Sequence, residues 1–381
     1  TRRFCGTVRS GGRGWRAGKN CTHGGKSMSE IVVRTLNEDE YGLWDDLVER
    51  SPHATVVHKY DWLKIIEEHT NSKLYLFVGY LGNEIVAAIP FFCRKKYFTK
   101  SLLSPINTAM IQNLGPIIPN YDDLKQDKRE FYFREFQKEL DKALERDIKP
   151  NSISITTPPN LLDARPYVWN NYQVTPKYNY IKNIENLQEV WKGFKKQLRK
   201  NIENAEKVGL VIEEGGLEEY NFIINSLSKR LSEQEVTVPT SKEYFSTLYD
   251  RFYPENIKIF MAKLHEEPIT GIIVTTYRDK ISIWVGATQT DLKGIYPVDL
   301  LQWKIIEWGN KNGYKYCEIL GANMPSISYF KSRYNFDLEI YFYVRKADSI
   351  RQMIRPFEAV KQSLVQIHKM FKHKRGHTKI A

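Results

Sequence analysis

The chain has 381 residues, of which 27% are charged and 41% hydrophobic, and its formal net charge is +12. This length exceeds what one hydrophobic core usually organises and the composition excludes a disordered chain, so two folded domains are expected. No run of roughly 18 uninterrupted apolar residues is present, so no transmembrane segment is expected, and the positive charge favours an anionic partner such as phosphate, RNA or an acidic lipid surface.

The first 27 residues differ in composition from the rest of the chain. They are rich in Gly, Arg, Ser and Thr and show no apolar periodicity, so residues 1–27 are expected to form a disordered extension. They also lack the apolar core of a secretory signal. Met28, where the composition changes, is expected to be the native start.

From Ile31 onward the pattern predicts alternating helices and strands. A tight turn at 81–83 between two apolar runs predicts a β-hairpin. In chain order the elements are a strand from Ile31, a helix through 41–48, a helix from about Asp61, strands at 74–80 and 84–92, a helix at about 121–146 and a strand at 153–155.

The second half repeats this order, which indicates an internal duplication. Its elements are a hairpin of strands 257–264 and 269–277, a third strand at 280–287, a helix at 297–312 and a strand at 315–320. The sequence therefore predicts an α+β protein of two related domains, with mixed sheets flanked by helices. The expected bounds are 28–180 and 181–346, followed by a basic amphipathic helix at 347–381.

Several short motifs occur in the order typical of one family. They are Ser51-Pro52-His53-Ala54-Thr55 with Trp62, Gly115-Pro116, Lys195 to Ile202 with Gly209-Leu210, Trp284 to Ala287, Tyr296-Pro297, Gly313, Glu318 and Phe330-Lys331. Over about 30–345 the chain resembles the FemAB-like family of Fem-type peptidyl transferases, which have two tandem GNAT acyltransferase domains. The resemblance implies transfer of an activated acyl or aminoacyl group to an amine, with aminoacyl-tRNA or acyl-CoA as donor and no tightly bound cofactor.

The chain departs from the related enzymes in two places. The loop that cradles a coenzyme A pyrophosphate usually has several glycines, whereas 291–296 has only Gly294. Between 201 and 245 there is no sustained heptad pattern of the kind found in the coiled-coil insertion of some Fem-type enzymes. Ordinary coenzyme A binding in the second half and tRNA contact through such an insertion are therefore not expected.

The resemblance points to two catalytic candidates. Lys331 occupies the position of the family's Phe-Lys pair and would stabilise the developing oxyanion or a carboxylate; the alternative is a solvated lysine on a short helix. Glu318 lies at the end of the strand predicted at 315–320 and would face a cleft, acting as a base or as a binding group; the alternative is an edge carboxylate exposed to water. Asn323 and Phe330 are candidate substrate-binding residues, although Asn323 could equally be an ordinary turn residue.

Further binding candidates come from a basic helix and from aromatic residues. Helical spacing places Lys196, Arg199 and Lys200 on one face, which could bind phosphates or be solvated surface. Trp284 and Tyr296 could line a substrate channel or belong to the core. The histidines have no metal-ligand spacing, so no metal site is expected.

The C-terminal segment combines an apolar stripe with a cluster of cations. Apolar residues recur at steps of three and four from Ile350 to Phe371, and basic residues crowd the end of the chain. The segment 350–379 is expected either to contact an anionic membrane or to pack on the second half. The four scattered cysteines favour a reducing compartment, so the expected location is cytoplasmic, with possible peripheral contact at the inner membrane face.

The leading hypothesis is an acyl or aminoacyl transferase acting on the amine of a cell-envelope or surface-glycan precursor. The first alternative is a coenzyme-A-dependent N-acyltransferase on a small molecule. The second is a non-catalytic, basic RNA-binding protein on the same scaffold, since a fold alone does not fix function.

Overall fold

The computed structural model describes residues 30–233, 241–286, 292 and 294–347. The predicted extension at 1–27 and the predicted helix at 347–381 lie outside these residues, except for Ala347. In the described parts of the chain, no helix is both long enough and apolar enough to cross a bilayer.

The first half begins with an antiparallel meander and ends with a strand that follows a long helix. Its elements are β1 (Ile31–Thr35), α1 (Gly42–Arg50), α2 (Tyr60–His69), β2 (Lys73–Leu81), β3 (Glu84–Lys96), β4 (Thr99–Ser104), α3 (Gln126–Asp147), β5 (Ser152–Thr156) and α4 (Arg165–Trp169). Strands β4 and β5 pair in parallel, Ser101 with Ser152 and Ser104 with Ile155. The long crossover through α3 permits this parallel pairing.

The second half repeats the arrangement with two more helices before its hairpin. Its elements are β6 (Gln173–Asn183), α5 (Leu187–Gly193), α6 (Lys196–Lys207), β7 (Val211–Glu214), α7 (Leu217–Glu233), α8 (Lys242–Phe252), β8 (Ile257–Leu264), β9 (Glu267–Tyr277), β10 (Lys280–Gly286), α9 (Pro297–Lys311), β11 (Tyr316–Ile319), α10 (Pro325–Lys331) and β12 (Asp337–Ala347). Here β10 and β11 are the parallel pair, with Ser282 opposite Glu318.

In the described residues, the strands of both halves join in one mixed sheet of twelve strands. Their order is β1-β2-β3-β4-β5-β12-β6-β11-β10-β9-β8-β7. Strand β12 lies at the centre and pairs on both sides, so that Arg345 is opposite Ser154 of β5 and also opposite Gln173 of β6. Strand β12, the last strand in the described residues, therefore connects the two halves.

Most predicted elements are present, with shifted ends. The helix predicted from Tyr121 starts at Gln126, because a short 3-10 turn at Tyr121–Asp123 precedes it. Strand β9 starts at Glu267, since the hairpin turn contains only His265 and Glu266, both at positive φ (51° and 66°) as a tight two-residue turn requires. Strands β4, β6 and β12 were not predicted, and the domain boundary expected at 180/181 falls inside β6.

Among the described residues three apolar cores flank the sheet, and one of them draws many residues from both halves. In this shared core the fully buried Trp62 of α2 contacts Phe252 of α8 and Trp284 of β10, at ring-centroid distances of 4.7 and 5.5 Å. One of the other two cores lies within the second half, and the other lies in the first half and includes Val344 of β12. Burial of each large apolar side chain contributes about 1.5–3 kcal/mol, so the shared core fixes the two halves against each other.

Candidate active site between the two halves

A narrow pocket of about 50 Å³ lies where the two halves meet. We call it the inner pocket. The first half contributes two loop segments and a proline, and the second half contributes side chains of β9, β10 and the end of β11. The lining residues are Thr55–Val57, Ile111–Asn113, Pro159, Thr275, Ser282, Trp284, Glu318 and Leu320.

The alternation of β10 explains why polar groups reach this pocket. Ile281 and Ile283 are buried in the core of the second half, so Ser282 and its neighbours on the other face point toward the first half. Because β10 and β11 run parallel with Ser282 opposite Glu318, these two side chains lie side by side. The local sequence thus places a hydroxyl and a carboxylate on the wall of the inner pocket.

Glu318 is buried, with only 3% of its surface exposed. Its Oε1 accepts a hydrogen bond from Asn179 Nδ2 at 3.0 Å, and its Oε2 accepts one from Ser282 Oγ at 2.7 Å. Lys280 Nζ lies 3.6 Å from Oε2. The carboxylate therefore faces a cleft, as the first of the two sequence interpretations expects, and it is held by three neighbouring groups.

Lys280 shares its environment with a second carboxylate, Glu339 of β12. Burial opposes a charge on Lys280, but the nearby carboxylates of Glu318 and Glu339 outweigh this effect and raise the lysine pKa. Glu339 is 6% exposed, and its Oε1 accepts a hydrogen bond from Asn160 Nδ2 at 3.0 Å. Burial, and then the proximity of Glu318, raise the pKa of Glu339 to about 7. The site therefore holds two carboxylates beside one ammonium group.

Lys331 lies at the end of α10 and does not line the inner pocket. Its ammonium donates to the carbonyl oxygens of Leu320 and Gly321, the latter at 3.0 Å, and burial lowers its pKa to about 8. Leu320 itself lines the pocket. Lys331 thus holds the loop that follows β11, and it is not the fully solvated lysine of the alternative interpretation.

Two further candidates lie around the same loop. The Oδ1 atom of Asn323 accepts a hydrogen bond from the Tyr178 amide at 2.9 Å. Its Nδ2 atom donates to the Tyr178 carbonyl at 3.1 Å and to the Tyr341 hydroxyl at 3.0 Å. It therefore attaches the loop to β6 and β12. Phe330 is half-buried against the core of the second half, with its ring 6.2 Å from that of Tyr334.

Trp284 combines both roles that the sequence left open. Its ring packs in the shared core, its Nε1 donates to the Met110 carbonyl at 2.9 Å, and it also lines the inner pocket. Tyr296 precedes α9, is 47% exposed and lies outside the pocket.

The basic face of α6 is also outside the inner pocket. Lys196 and Lys200 are exposed and Arg199 is half-exposed, and within the described residues none of the three forms an ion pair. The opposite face of the helix is anchored, since Asn201 Nδ2 donates to Asp299 Oδ2 of α9 at 2.8 Å. The structure therefore brings Trp284 and Glu318 together and places the three cations on a separate, accessible surface.

Four residues of the site were not predicted from the sequence: Asn179, Lys280, Ser282 and Glu339. Two of them could be found from the sequence. Lys280 and Ser282 alternate with isoleucines in a strand that is otherwise apolar, which indicates polar side chains on one face of the strand. Asn179 and Glu339 lie in β6 and β12, which were not assigned as strands. They are directly opposite each other in the sheet.

Comparison with known proteins gives one family match, which lies within the second half. Residues 192–332 match the acetyltransferase (GNAT) domain. The solved structure of FemX superimposes with a TM-score of 0.59 at 12% identity, over 81% of this chain and 96% of that chain. A comparison with curated protein sequences finds no significant match.

Two other solved structures are similar over nearly their whole length. L-PGS from Bacillus licheniformis has a TM-score of 0.51 and 14% identity, over 86% of this chain and 97% of that chain. A tandem GNAT protein from the clavulanic acid biosynthesis pathway has a TM-score of 0.51 and 13% identity, over 84% and 98%. At these identities the likeness concerns the fold, and it confirms the predicted α+β arrangement of two GNAT-like units.

Proposed function

We propose that this chain, an acyltransferase with the tandem GNAT fold of the Fem-like proteins, transfers an acyl or aminoacyl group to the amine of a cell-envelope or surface-glycan precursor. The observation that carries the proposal is Glu318, a buried carboxylate on the wall of the inner pocket and within the matched GNAT segment. An amine acceptor arrives protonated and must lose a proton before it attacks. A fixed carboxylate can orient that ammonium group and accept its proton.

In the proposed reaction the amine nitrogen forms a bond to the acyl carbon, and the bond from that carbon to the donor's oxygen or sulfur breaks. The ammonium group loses one proton on its way to the neutral amine and a second when the amide forms. Glu318 takes the first proton, and the second goes to the leaving group. Ser282 and Asn179 support this role, since they hold the carboxylate in one orientation.

We assign to Lys331 the stabilisation of negative charge on the acyl oxygen. A lysine ammonium has three N–H donors, and two of them are directed at the Leu320 and Gly321 carbonyls. We propose that the third donates to the reacting oxygen or to a substrate carboxylate. Trp284, Tyr296, Asn323 and Phe330 would contact the substrates.

The donor's phosphates would bind Lys196, Arg199 and Lys200, whose charges are not neutralised by carboxylates in the described residues. Both candidate donors, aminoacyl-tRNA and acyl-CoA, carry phosphates. The description of the matched family as an acetyltransferase domain specifically favours the second candidate function, a coenzyme-A-dependent N-acyltransferase. Peripheral membrane contact through 350–379 remains a proposal about a segment outside the described residues.

A donor screen tests the function. The full chain is incubated with an amine acceptor and either aminoacyl-tRNA or acyl-CoA, and the mass of the acceptor is followed. We expect a mass gain with one donor class and a loss of about 10²- to 10³-fold in rate for Glu318→Gln. Asp337→Asn is the matched control; this carboxylate is exposed, and within the described residues its partner is Lys182 at 3.5 Å. No acyl transfer with either donor, on glycan-precursor and small amines alike, would contradict the proposal.

A further inference from the structure

Two-residue turns join four antiparallel strand pairs in the described part of the chain, and one of these turns is aromatic. Three of them carry glycine, polar or charged residues: Gly82-Asn83, His265-Glu266 and Arg278-Asp279. The fourth joins β3 to β4 through Tyr97-Phe98, and we call it the aromatic turn. Its side chains are 91% and 80% exposed, the largest exposed fractions among the large hydrophobic residues that the structure describes.

The fold does not require aromatic residues at this turn. The first residue of each of the four turns has a positive φ, between 51° and 63°, which is an uncommon conformation for a bulky side chain such as Tyr97. The other three turns close without an aromatic residue. Neither ring of the aromatic turn belongs to an apolar core of the described residues, and both meet water, which is unfavourable. The aromatic pair therefore points to a binding role.

Two uncommitted cations stand directly before the aromatic turn. Lys95 and Lys96 end β3, are exposed, and form no ion pair with any residue in the described ranges. Successive strand residues point to opposite faces of a sheet. The two ammonium groups therefore flank the aromatic turn on both sides.

The base of the same hairpin is also basic. Lys100 Nζ donates to the Ile148 carbonyl at 2.7 Å, which holds a third cation there. Of the residues on either side of Ile148, Asp147 is paired with Arg146 at 2.7 Å, and Lys149 is exposed. The residues 94–100 contain four cations and no carboxylate. The charge close to the aromatic turn is therefore positive.

The start of the basic C-terminal segment lies at the same end of the sheet. Ser101 of β4 pairs with Ser152 of β5, and Ser152 pairs with Ala347 of β12. Ala347, which the basic segment 350–379 follows in the sequence, therefore lies two strands from β4.

We propose that the aromatic turn docks on an anionic lipid bilayer, with Tyr97 and Phe98 in the interfacial region and Lys95 and Lys96 against the acidic headgroups. Aromatic side chains favour the boundary between headgroups and acyl chains, and lysine stems can lie along apolar surface while their ammonium groups reach charge. A projecting turn enters such an interface without a complementary pocket, whereas a protein partner would have to supply one. No group of the proposed reaction takes part, so this surface is independent of the proposed function.

Flotation of the full chain with lipid vesicles tests the surface. Vesicles of phosphatidylcholine alone are compared with vesicles of phosphatidylcholine and phosphatidylglycerol in equal parts. We expect the wild type to bind the mixed vesicles much more tightly. Tyr97→Asn with Phe98→Gly should weaken this binding at least about 10-fold, because two aromatic side chains no longer leave water. The variant should still fold, since Asn-Gly is a preferred two-residue turn.

The same exchange at another turn is the matched control. His265→Asn with Glu266→Gly should not weaken binding to the mixed vesicles. A second variant tests the charges: Lys95→Gln with Lys96→Gln should weaken binding about 5-fold for each lysine removed, and its difference from the wild type should shrink as salt is raised. The C-terminal segment is present in every variant, so its contribution is common to all.

Equal affinity of the wild type and the Tyr97→Asn, Phe98→Gly variant for the mixed vesicles would overturn the proposal, because the turn would then be covered by something other than lipid. Equal weakening by the His265→Asn, Glu266→Gly control would overturn it as well. The donor screen with a soluble amine judges the proposed function separately, and the aromatic-turn variant should transfer acyl groups there at the wild-type rate.

Discussion

The two halves carry equivalent parallel strand pairs with different chemistry. In the first half, β4 and β5 lie side by side with Ser101 opposite Ser152. The Ser152 Oγ donates a hydrogen bond to Ser101 Oγ at 3.1 Å. In the second half, the corresponding pair β10 and β11 holds Lys280 and Glu318. A serine pair is easily accommodated in a buried sheet, whereas a buried ion pair requires desolvation of both charges. Of these two strand pairs, the one in the second half therefore holds the buried ion pair, and the one in the first half holds a neutral hydrogen bond.

The largest effect should follow from breaking the ion pair. Lys280→Met leaves Glu318 buried without its cation, and the free energy of unfolding should fall by about 3–5 kcal/mol. The matched change in the first half, Ser152→Ala, removes one neutral hydrogen bond and should cost only about 0.5–1.5 kcal/mol. Both values are measured by urea denaturation. Similar losses for the two variants would mean that the strand pairs are energetically alike.

The second-largest effect is expected at Lys331, which is bonded to the loop after β11. Lys331→Met should lower turnover about 10²- to 10³-fold while keeping most of the donor affinity, because the ammonium would act mainly in the transition state. Rate and donor binding are measured separately. In the wild type, the rate should also decline above about pH 8, where the buried ammonium loses its proton.

Lys346 is the matched control for this experiment. It lies on β12 and pairs with Asp141 of the first half at 2.8 Å. Lys346→Met should leave turnover close to that of the wild type. A Lys331→Met variant that is less stable but turns over at the wild-type rate would show that the lysine only anchors the loop after β11.

The pH dependence of stability should also differ between the two halves, because Glu339 of β12 lies near Lys280 of the second-half strand pair. The pKa of Glu339 is raised to about 7 from an ordinary value of 4.5, so the folded state binds this proton more tightly than the unfolded state does. Stability should therefore decrease as pH rises from about 4.5 to about 7, by up to about 3 kcal/mol from this group.

Glu339→Gln should remove that dependence, which denaturation curves at several pH values would measure. The serine pair of the first half has no titrating group in this range, so Ser152→Ala should leave the pH profile parallel to that of the wild type. An unchanged slope in Glu339→Gln would show that the carboxylate titrates normally.

The smallest effect on stability is expected at the basic face of α6. In α3 of the first half, Lys138 and Lys142 pair with Glu135 and Glu139 at 3.2 and 2.8 Å. The cations of α6 have no such partners in the described residues. The triple change Lys196→Gln, Arg199→Gln and Lys200→Gln should alter stability by no more than about 0.5 kcal/mol but weaken donor binding and reduce its salt dependence.

Changing Lys138 and Lys142 to Gln should alter neither donor binding nor its salt dependence. The measurement is donor affinity at several salt concentrations. Equal donor affinity in the wild type and the triple variant would exclude the α6 face as the phosphate site.

The hairpins and helices could be predicted from the sequence because their signals are local. The two-residue turn at His265 and Glu266 separates two strongly apolar runs, and the α9 pattern follows helical spacing. The GNAT fold could be recognised from the order of these elements.

Strand β12 shows why the rest could not be predicted. Its sequence Leu338-Glu339-Ile340 suggests that the apolar residues face inward and the acid faces water. The structure has the reverse, with Leu338 60% exposed and Glu339 buried. The reason lies far away in the chain, because Asn179 opposite and Lys280 nearby create a polar environment inside the sheet. No window around Glu339 contains that information.

The central position of β12 also has a consequence for biosynthesis. A ribosome adds roughly 5–20 residues per second, so β5 emerges many seconds before β12, which begins at Asp337. Until then β5 and β6 lack the neighbour that β12 provides, so the two parts of the sheet have open edges there in addition to those at β1 and β7. Open edges pair readily with strands of other chains. Nascent chains arrested before Asp337 should therefore bind chaperones or aggregate, whereas chains that have released Ala347 should do so less, which ribosome-bound nascent-chain pull-downs would measure.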